Sequence, residues 1–247
     1  MSAVDQAFAK AYRTWCETPT GQLTTRVEEK ALARAVGRVF GHYLVQFGAD
    51  FPANYMNRAY VRRRFVLGPT FKEGPFSGAC TEPERLPVES HSVDALVLPH
   101  VLEFTTDPRA LLREADRVLI QDGKLFILTF NRLGVSGLRQ SLLGARRVPA
   151  IGKPCRVDRV VDWLGVLGFE TDSITPLMFW PRGLRRVQLL HKLGHRGLPL
   201  FAEVCLIVGR KRVAPLTRLG VQRRTARKLT PIPLPQPAAR TESDDKT

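Results

Sequence analysis

The run VDALVLPHVLEFTTDPRALLREADRVLIQDGKLFILTF, residues 93–130, decides the fold. Val93 to Leu98 is almost continuously apolar, the pattern of a strand buried on both faces. Asp107-Pro108 then opens a helix, with Asp107 able to cap the first free amides and Pro108 at the first helical position. Leu111, Leu112, Ala115, Val118 and Leu119 recur at helical spacing and mark its inner face. Gln121-Asp122-Gly123-Lys124 reads as a turn, and Leu125 to Phe130 as a second fully buried strand. Strand, helix and strand in this order make a crossover unit of a parallel sheet.

The flanking sequence extends the alternation. A short helix is expected to close on Thr18-Pro19-Thr20-Gly21, and a longer one to begin at the capping-box pattern Thr25-x-x-Glu28 and end at Gly41. His42 to Phe47, stopping at Gly48, is the first strand. Asn54 to Arg64 is expected to be helical and to lead into a second strand at Arg62–Leu67, broken by Gly68-Pro69. A short third strand lies around Gly78-Ala79-Cys80. Downstream come a loop or short helix at residues 131–152, an amphipathic helix from Val157 to Leu167 closed by Gly168, and strands at Phe169–Thr175 and Ala202–Val208. The expectation is a mostly parallel seven-stranded sheet with helices on both faces, in a Rossmann-like α/β domain. Its ligands should sit at the carboxyl ends of the strands. The domain spans residues 41–212, after an N-terminal helical segment (1–40) packed on it. Residues 213–247 are a basic, Pro-rich, disordered tail.

Composition narrows the classes. The chain has 247 residues and a formal net charge of +15. From Arg210 onward ten Lys/Arg stand against three acids. Residues 176–200 read as a basic amphipathic helix holding Phe179, Trp180, Arg182, Arg185 and Arg186. Both segments could meet RNA or an anionic membrane, and both could equally be solvated faces. No secretory leader, membrane span, CxxC pair or metal-type cluster is present, which points to a cytoplasmic protein with reduced, mostly buried thiols and no metal site.

The block from Glu82 through Leu86-Pro87, Ser92-Val93-Asp94, His100 to Phe104, Asp107-Pro108, Arg113-Glu114, Arg117-Val118-Leu119 and Asp122-Gly123-Lys124-Leu125 is similar to that of class I S-adenosylmethionine-dependent methyltransferases. Trp15-x-x-Thr18-Pro19-x-Gly21 and Leu44-Val45-Gln46-Phe47-Gly48 resemble a proteobacterial branch of that family. The resemblance implies S-adenosylmethionine as cofactor, held after strand one by Gln46, Phe47, Gly48 and Asp50 and around the adenine by Glu82 and Leu86, with Pro99 beside the transferred methyl. Gln46 stands where the family has an acid, and Asp50 and Pro52 stand where it has glycines. The second strand ends in Val66-Leu67-Gly68-Pro69 without the usual ribose-binding carboxylate. Glu82 is followed by Pro83, which has no N–H to offer.

Among residues able to move a proton, His100, just past strand four, is the first candidate base and Glu103 the second. Each also reads as an ordinary group at a strand end. Asn131 would face the same cleft, and Asp94 reads as structural. Two functions follow. One is methyl transfer to an unknown acceptor. The other is a methyltransferase-like scaffold that has lost catalysis and serves interaction or RNA binding, the reading favoured by the eroded loop Gly48 to Pro52 and the basic tail.

Overall fold

A computed structural model of the chain describes residues 12–48, 51–69, 75–82, 85–132, 134, 155–178 and 202–212. Asp50, residues 179–200, the tail from 213 and nearly all of 131–152 lie outside these residues, and so do the expectations placed on them.

Seven strands form one sheet: β1 (Phe40–Phe47), β2 (Tyr60–Gly68), β3 (Ser77–Cys80), β4 (Val93–Pro99), β5 (Leu119–Phe130), β6 (Phe169–Met178) and β7 (Val204–Lys211). Their order is β3-β2-β1-β4-β5-β7-β6. The first five pair in parallel, and β7 runs antiparallel to both β5 and β6. This is the expected α/β fold. The order reverses between β1 and β4, so the carboxyl ends of those strands diverge and open the crevice where such sheets hold ligands.

Two apolar layers flank the sheet. On one face Val45, Leu96, Leu98, Leu125 and Ile127 pack under α2 (Pro108–Val118) and α3 (Val157–Val166). On the other, Leu44, Val97, Phe126 and Leu128 pack with Leu32 and Val36 of α1 (Pro19–Val36). The central strands are buried on both sides, which explains their uninterrupted apolar sequence. Asp107 caps α2 as its sequence implies, its carboxylate accepting from the amides of Arg109 and Ala110 at 2.9 and 3.1 Å.

The N-terminal region departs from expectation. Residues 12–17 are helical, Thr18 breaks the chain and α1 starts at Pro19, so Thr25 and Glu28 lie mid-helix. The hydroxyl of Thr18 accepts from the amide of Gly21 at 3.1 Å. A capping box needs free amides, and in mid-helix those around Thr25 are already bonded. The Trp15-x-x-Thr18-Pro19-x-Gly21 motif thus has a physical basis. Trp15 is buried with its ring edge-on to Phe130 at 5.6 Å, Thr18 caps, and Pro19 occupies a position needing no N–H. A Cβ on Gly21 would lie 2.0 Å from the Trp15 carbonyl oxygen.

Three other expectations are corrected. The helix expected from Asn54 to Arg64 is only a 3-10 turn, Asn54–Arg58, while Arg62, Arg63 and Arg64 belong to β2 as expected. Residues 48–59 therefore form about the shortest crossover a parallel pair allows. Gly41 lies inside β1 rather than at a helix end. The turn at Asp122-Gly123 is a bulge within β5, where pairing with β4 jumps from Leu119 to Lys124 and Asp122 takes a φ of 60°. Asp94 is structural in role, accepting from the amides of His42 and Tyr43 at 2.8 Å each. Three bases counted with the tail are held in the fold: Arg210 by Asp172 at 2.8 Å, Lys211 by Asp116 at 3.0 Å and Arg212 by Glu170 at 2.6 Å. Cys80 is exposed, Cys205 is buried and Cys16 and Cys155 are intermediate.

Candidate active site

The buried face of α1 carries Gly21, Thr24, Glu28, Leu32 and Val36, so Glu28 sits in the middle of an apolar stripe. It points at the end of β4. There His100 Nε2 lies 3.1 Å from Glu28 Oε1, and His100 Nδ1 lies 3.6 Å from Glu103 Oε1. All three side chains are fully excluded from solvent. Aromatic rings wall the imidazole: Phe130 stacks on it at 4.2 Å, with Tyr12 at 5.5 Å and Phe51 at 6.3 Å. The backbone of His100 is left-handed, with a φ of 55°, an uncommon conformation for a residue with a side chain. Strain of this kind collects at functional sites.

Two carboxylates around one imidazole decide its charge. Burial alone would drive the proton off His100. The charge of Glu28 and the hydrogen-bonding contacts of Glu103 and Glu28 outweigh it, and the imidazole pKa rises from 6.5 to about 9. At neutral pH His100 is an imidazolium set between Glu28 and Glu103. Glu103 Oε1 is anchored by the amide of Phe130 at 2.6 Å. Glu28 Oε2 and Glu103 Oε2 are buried and find no hydrogen-bond partner among the described residues. Buried polar atoms are seldom left so.

The residues expected around the cofactor are arranged unequally. Gly48 closes β1 with a φ of 118°, and a Cβ there would meet Pro99 and Val101 at 3.4 to 3.6 Å. Gln46 spends its amide on the loop. Its Nε2 donates to the carbonyls of Gly48 and Phe51 at 2.8 and 2.9 Å, and its Oε1 accepts from the Tyr55 hydroxyl at 2.5 Å. Phe47 and Leu86 are core residues. The Leu86 amide donates to Glu114 at 2.8 Å, so it is not free for a ligand. Glu82, exposed, pairs in an isolated bridge with Arg85. Pro99 is buried at the end of β4, and the buried Asn131 donates its amide to the Glu203 carbonyl at 2.9 Å. The structure therefore brings Gln46, Gly48, Pro99, His100 and Glu103 to one end of β1 and β4, while Glu82 and Leu86 follow β3 in the chain, Leu86 in the same core cluster as Phe47. Sequence reasoning missed Glu28 and Tyr12. A carboxylate four residues after Thr24 and four before Leu32, on a buried stripe, was the available signal for Glu28.

The residues fit S-adenosylmethionine at its methionine end. Glu28 and Glu103 present carboxylate oxygens without a partner where Gln46 offers no acid, and Gly48 puts no side chain between the backbone and a ligand. At the ribose end β2 finishes in Leu67-Gly68 with no carboxylate to offer.

Sheet order and crevice are those of the class I S-adenosylmethionine-dependent methyltransferase fold, and the chain belongs to that family. Residues 48–127 match the methyltransferase domain family model. The chain is 32% identical over 204 residues to the uncharacterized protein YafS of Escherichia coli K12, covering 82% of each. Among solved structures it is similar to an S-adenosylmethionine-dependent, possible histamine N-methyltransferase of Thermotoga maritima, with TM-score 0.60 and 17% identity, covering 85% of this chain and 98% of that one. An S-adenosylmethionine-dependent methyltransferase of Mesorhizobium loti gives a TM-score of 0.54 at 13% identity, with 75% and 98% covered. At such identities these two likenesses speak for the fold alone. Among the described residues no helix is long and apolar enough to cross a membrane.

Proposed function

We propose that the chain transfers a methyl group from S-adenosylmethionine to an acceptor at the carboxyl ends of β1 and β4. In this reading residues 41–212 are the transfer domain of a cytoplasmic enzyme and the residues ahead of β1 cover its site. When bound, the cofactor supplies an electrophilic methyl on a sulfonium, and displacement at such a carbon asks the protein chiefly for alignment. Gln46, Phe47, Gly48 and Asp50 would hold its methionine end, Pro99 would flank it, and Glu82 and Leu86 would lie toward the adenine. Gln46 fixes the loop by bonding both Gly48 and Phe51.

The observation that carries the reading is the buried cluster Glu28–His100–Glu103 with its free carboxylate oxygens. His100 holds its proton to about pH 9, so in this reading the base is Glu103, through its free Oε2. His100 orients Glu103 and balances part of the charge. Tyr12 and Phe130 keep water from the pair.

The alternative, a scaffold that has given up the cofactor, is favoured by one observation: the Gln46 amide is fully occupied by its own loop and by Tyr55. Calorimetric titration of the full chain with S-adenosylmethionine and its demethylated product separates the two. The proposal expects saturable binding of both. No heat up to millimolar ligand would overturn it in favour of the scaffold.

A further inference from the structure

At the opposite end of the sheet, Phe40 and Tyr60 open β1 and β2 as paired residues. Their rings stack in the open at 5.1 Å, only 12° from parallel, and are 72% and 68% exposed. Large rings standing clear of any core are uncommon without a partner. The stack leaves the outer face of each ring free.

Beside it is an open cavity of about 650 Å³ lined by Asn57, Arg58, Tyr60, Arg62 and Arg64. Arg64 is held in place, donating to the carbonyls of Met56 and Ala59 at 2.8 and 2.7 Å. Arg58 and Arg62 are exposed and form no ion pair among the described residues. Arg38, also exposed, precedes Phe40 by two residues. Tyr60 belongs to both the stack and the cavity, so flat aromatic faces and a cluster of guanidinium groups adjoin on one surface.

We propose that this surface binds single-stranded nucleic acid, with bases stacking on Phe40 and Tyr60 and the phosphates lying against Arg58, Arg62 and Arg64. Unpaired bases offer the free faces that such a stack accepts, and guanidinium groups suit phosphate oxygens. The net charge of +15 draws a polyanion to the chain, while the aromatic pair supplies a contact that charge alone does not. The surface lies roughly 25 Å from the candidate active site, the length of an eight-residue strand. The inference therefore stands apart from the methyl-transfer reading.

Fluorescence anisotropy of a labelled single-stranded oligouridine of about twelve nucleotides, with the full chain at low and moderate salt, tests it. Replacing both rings (Phe40→Ala with Tyr60→Ala) should weaken binding about tenfold at either salt, within the range for lost base–aromatic stacking. Phe40→Leu with Tyr60→Leu keeps apolar bulk, guards against misfolding and should lose nearly as much. Arg58→Ala with Arg62→Ala should lower the slope of log affinity against log salt by about 1.4, the value for two phosphates of a single strand. A duplex of the same length should bind more weakly than the strand. Attraction to the basic tail is common to all these proteins and cancels between them. Binding by both ring variants within twofold of the parent chain, equal affinity for duplex and strand, or a requirement for the rings on anionic phosphatidylserine vesicles but not on RNA would each overturn the proposal.

Discussion

Raising the pH from about 6 to about 8 should destabilise this protein, and His100 fixes the amount. In the unfolded chain the imidazole releases its proton near 6.5, whereas in the folded chain it holds the proton to about 9. Between those values the folded state binds more protons than the unfolded, so stability falls as pH rises. The contribution is complete below 6.5 and gone above about 9. At ~1.4 kcal/mol per pH unit the whole window is worth roughly 3 kcal/mol, of which roughly 2 kcal/mol is lost by pH 8. No discount for solvent screening applies, because His100, Glu28 and Glu103 have no exposed side-chain surface. The window also stops short of the half-buried thiol of Cys155 and the buried thiol of Cys205, whose pKa values burial pushes up to about 12. Urea unfolding at the two pH values measures the difference. Equal stability, or greater stability at pH 8, would refute the shared proton of this cluster.

Glu28→Gln removes the strongest attraction for the His100 proton and should cost about 3 kcal/mol or more at pH 7, as broken buried pairs do, while flattening the fall between pH 6 and 8. Thr18→Ala should cost ~1 kcal/mol by loss of the cap on α1, and Gly21→Ala about 1–3 kcal/mol because its methyl meets the Trp15 carbonyl, both read by thermal melting. Tyr55→Phe leaves the buried Gln46 Oε1 without its donor and should cost about 1–3 kcal/mol in urea unfolding. Gly48→Ala must hold a φ of 118° with a side chain, and by calorimetry should weaken cofactor binding more than tenfold.

The centre of the fold was legible because β4, α2 and β5 agree locally and globally. Val93 to Leu98 is apolar throughout as its double burial requires, and Asp107-Pro108 caps where it stands in the chain. The start of α1 was not. Thr25-x-x-Glu28 and Thr18-Pro19 are both valid starts, and only the packing of Trp15 and Gly21 selects the second. The crossover after β1 was misread for a related reason. Asn54 to Arg64 has helical spacing, but pairing of Tyr60 with Phe40 in the sheet takes those residues into β2. In the site, His100 and Glu103 could be picked out because they follow a clear strand end. Glu28 could not, because its meaning depends on a contact seventy-two positions away, with His100. Separation in sequence also hides Phe40 and Tyr60, each an unremarked aromatic until the register sets them side by side.

The most direct test of the central claim, that the cluster at the end of β4 is the working site, is to follow the imidazole signals of His100 by nuclear magnetic resonance, assigned with His100→Gln, while adding the demethylated cofactor. The account predicts that these signals move in step with saturation, from a histidine that is protonated at neutral pH before ligand is added. Binding that leaves the His100 signals where they were would contradict it.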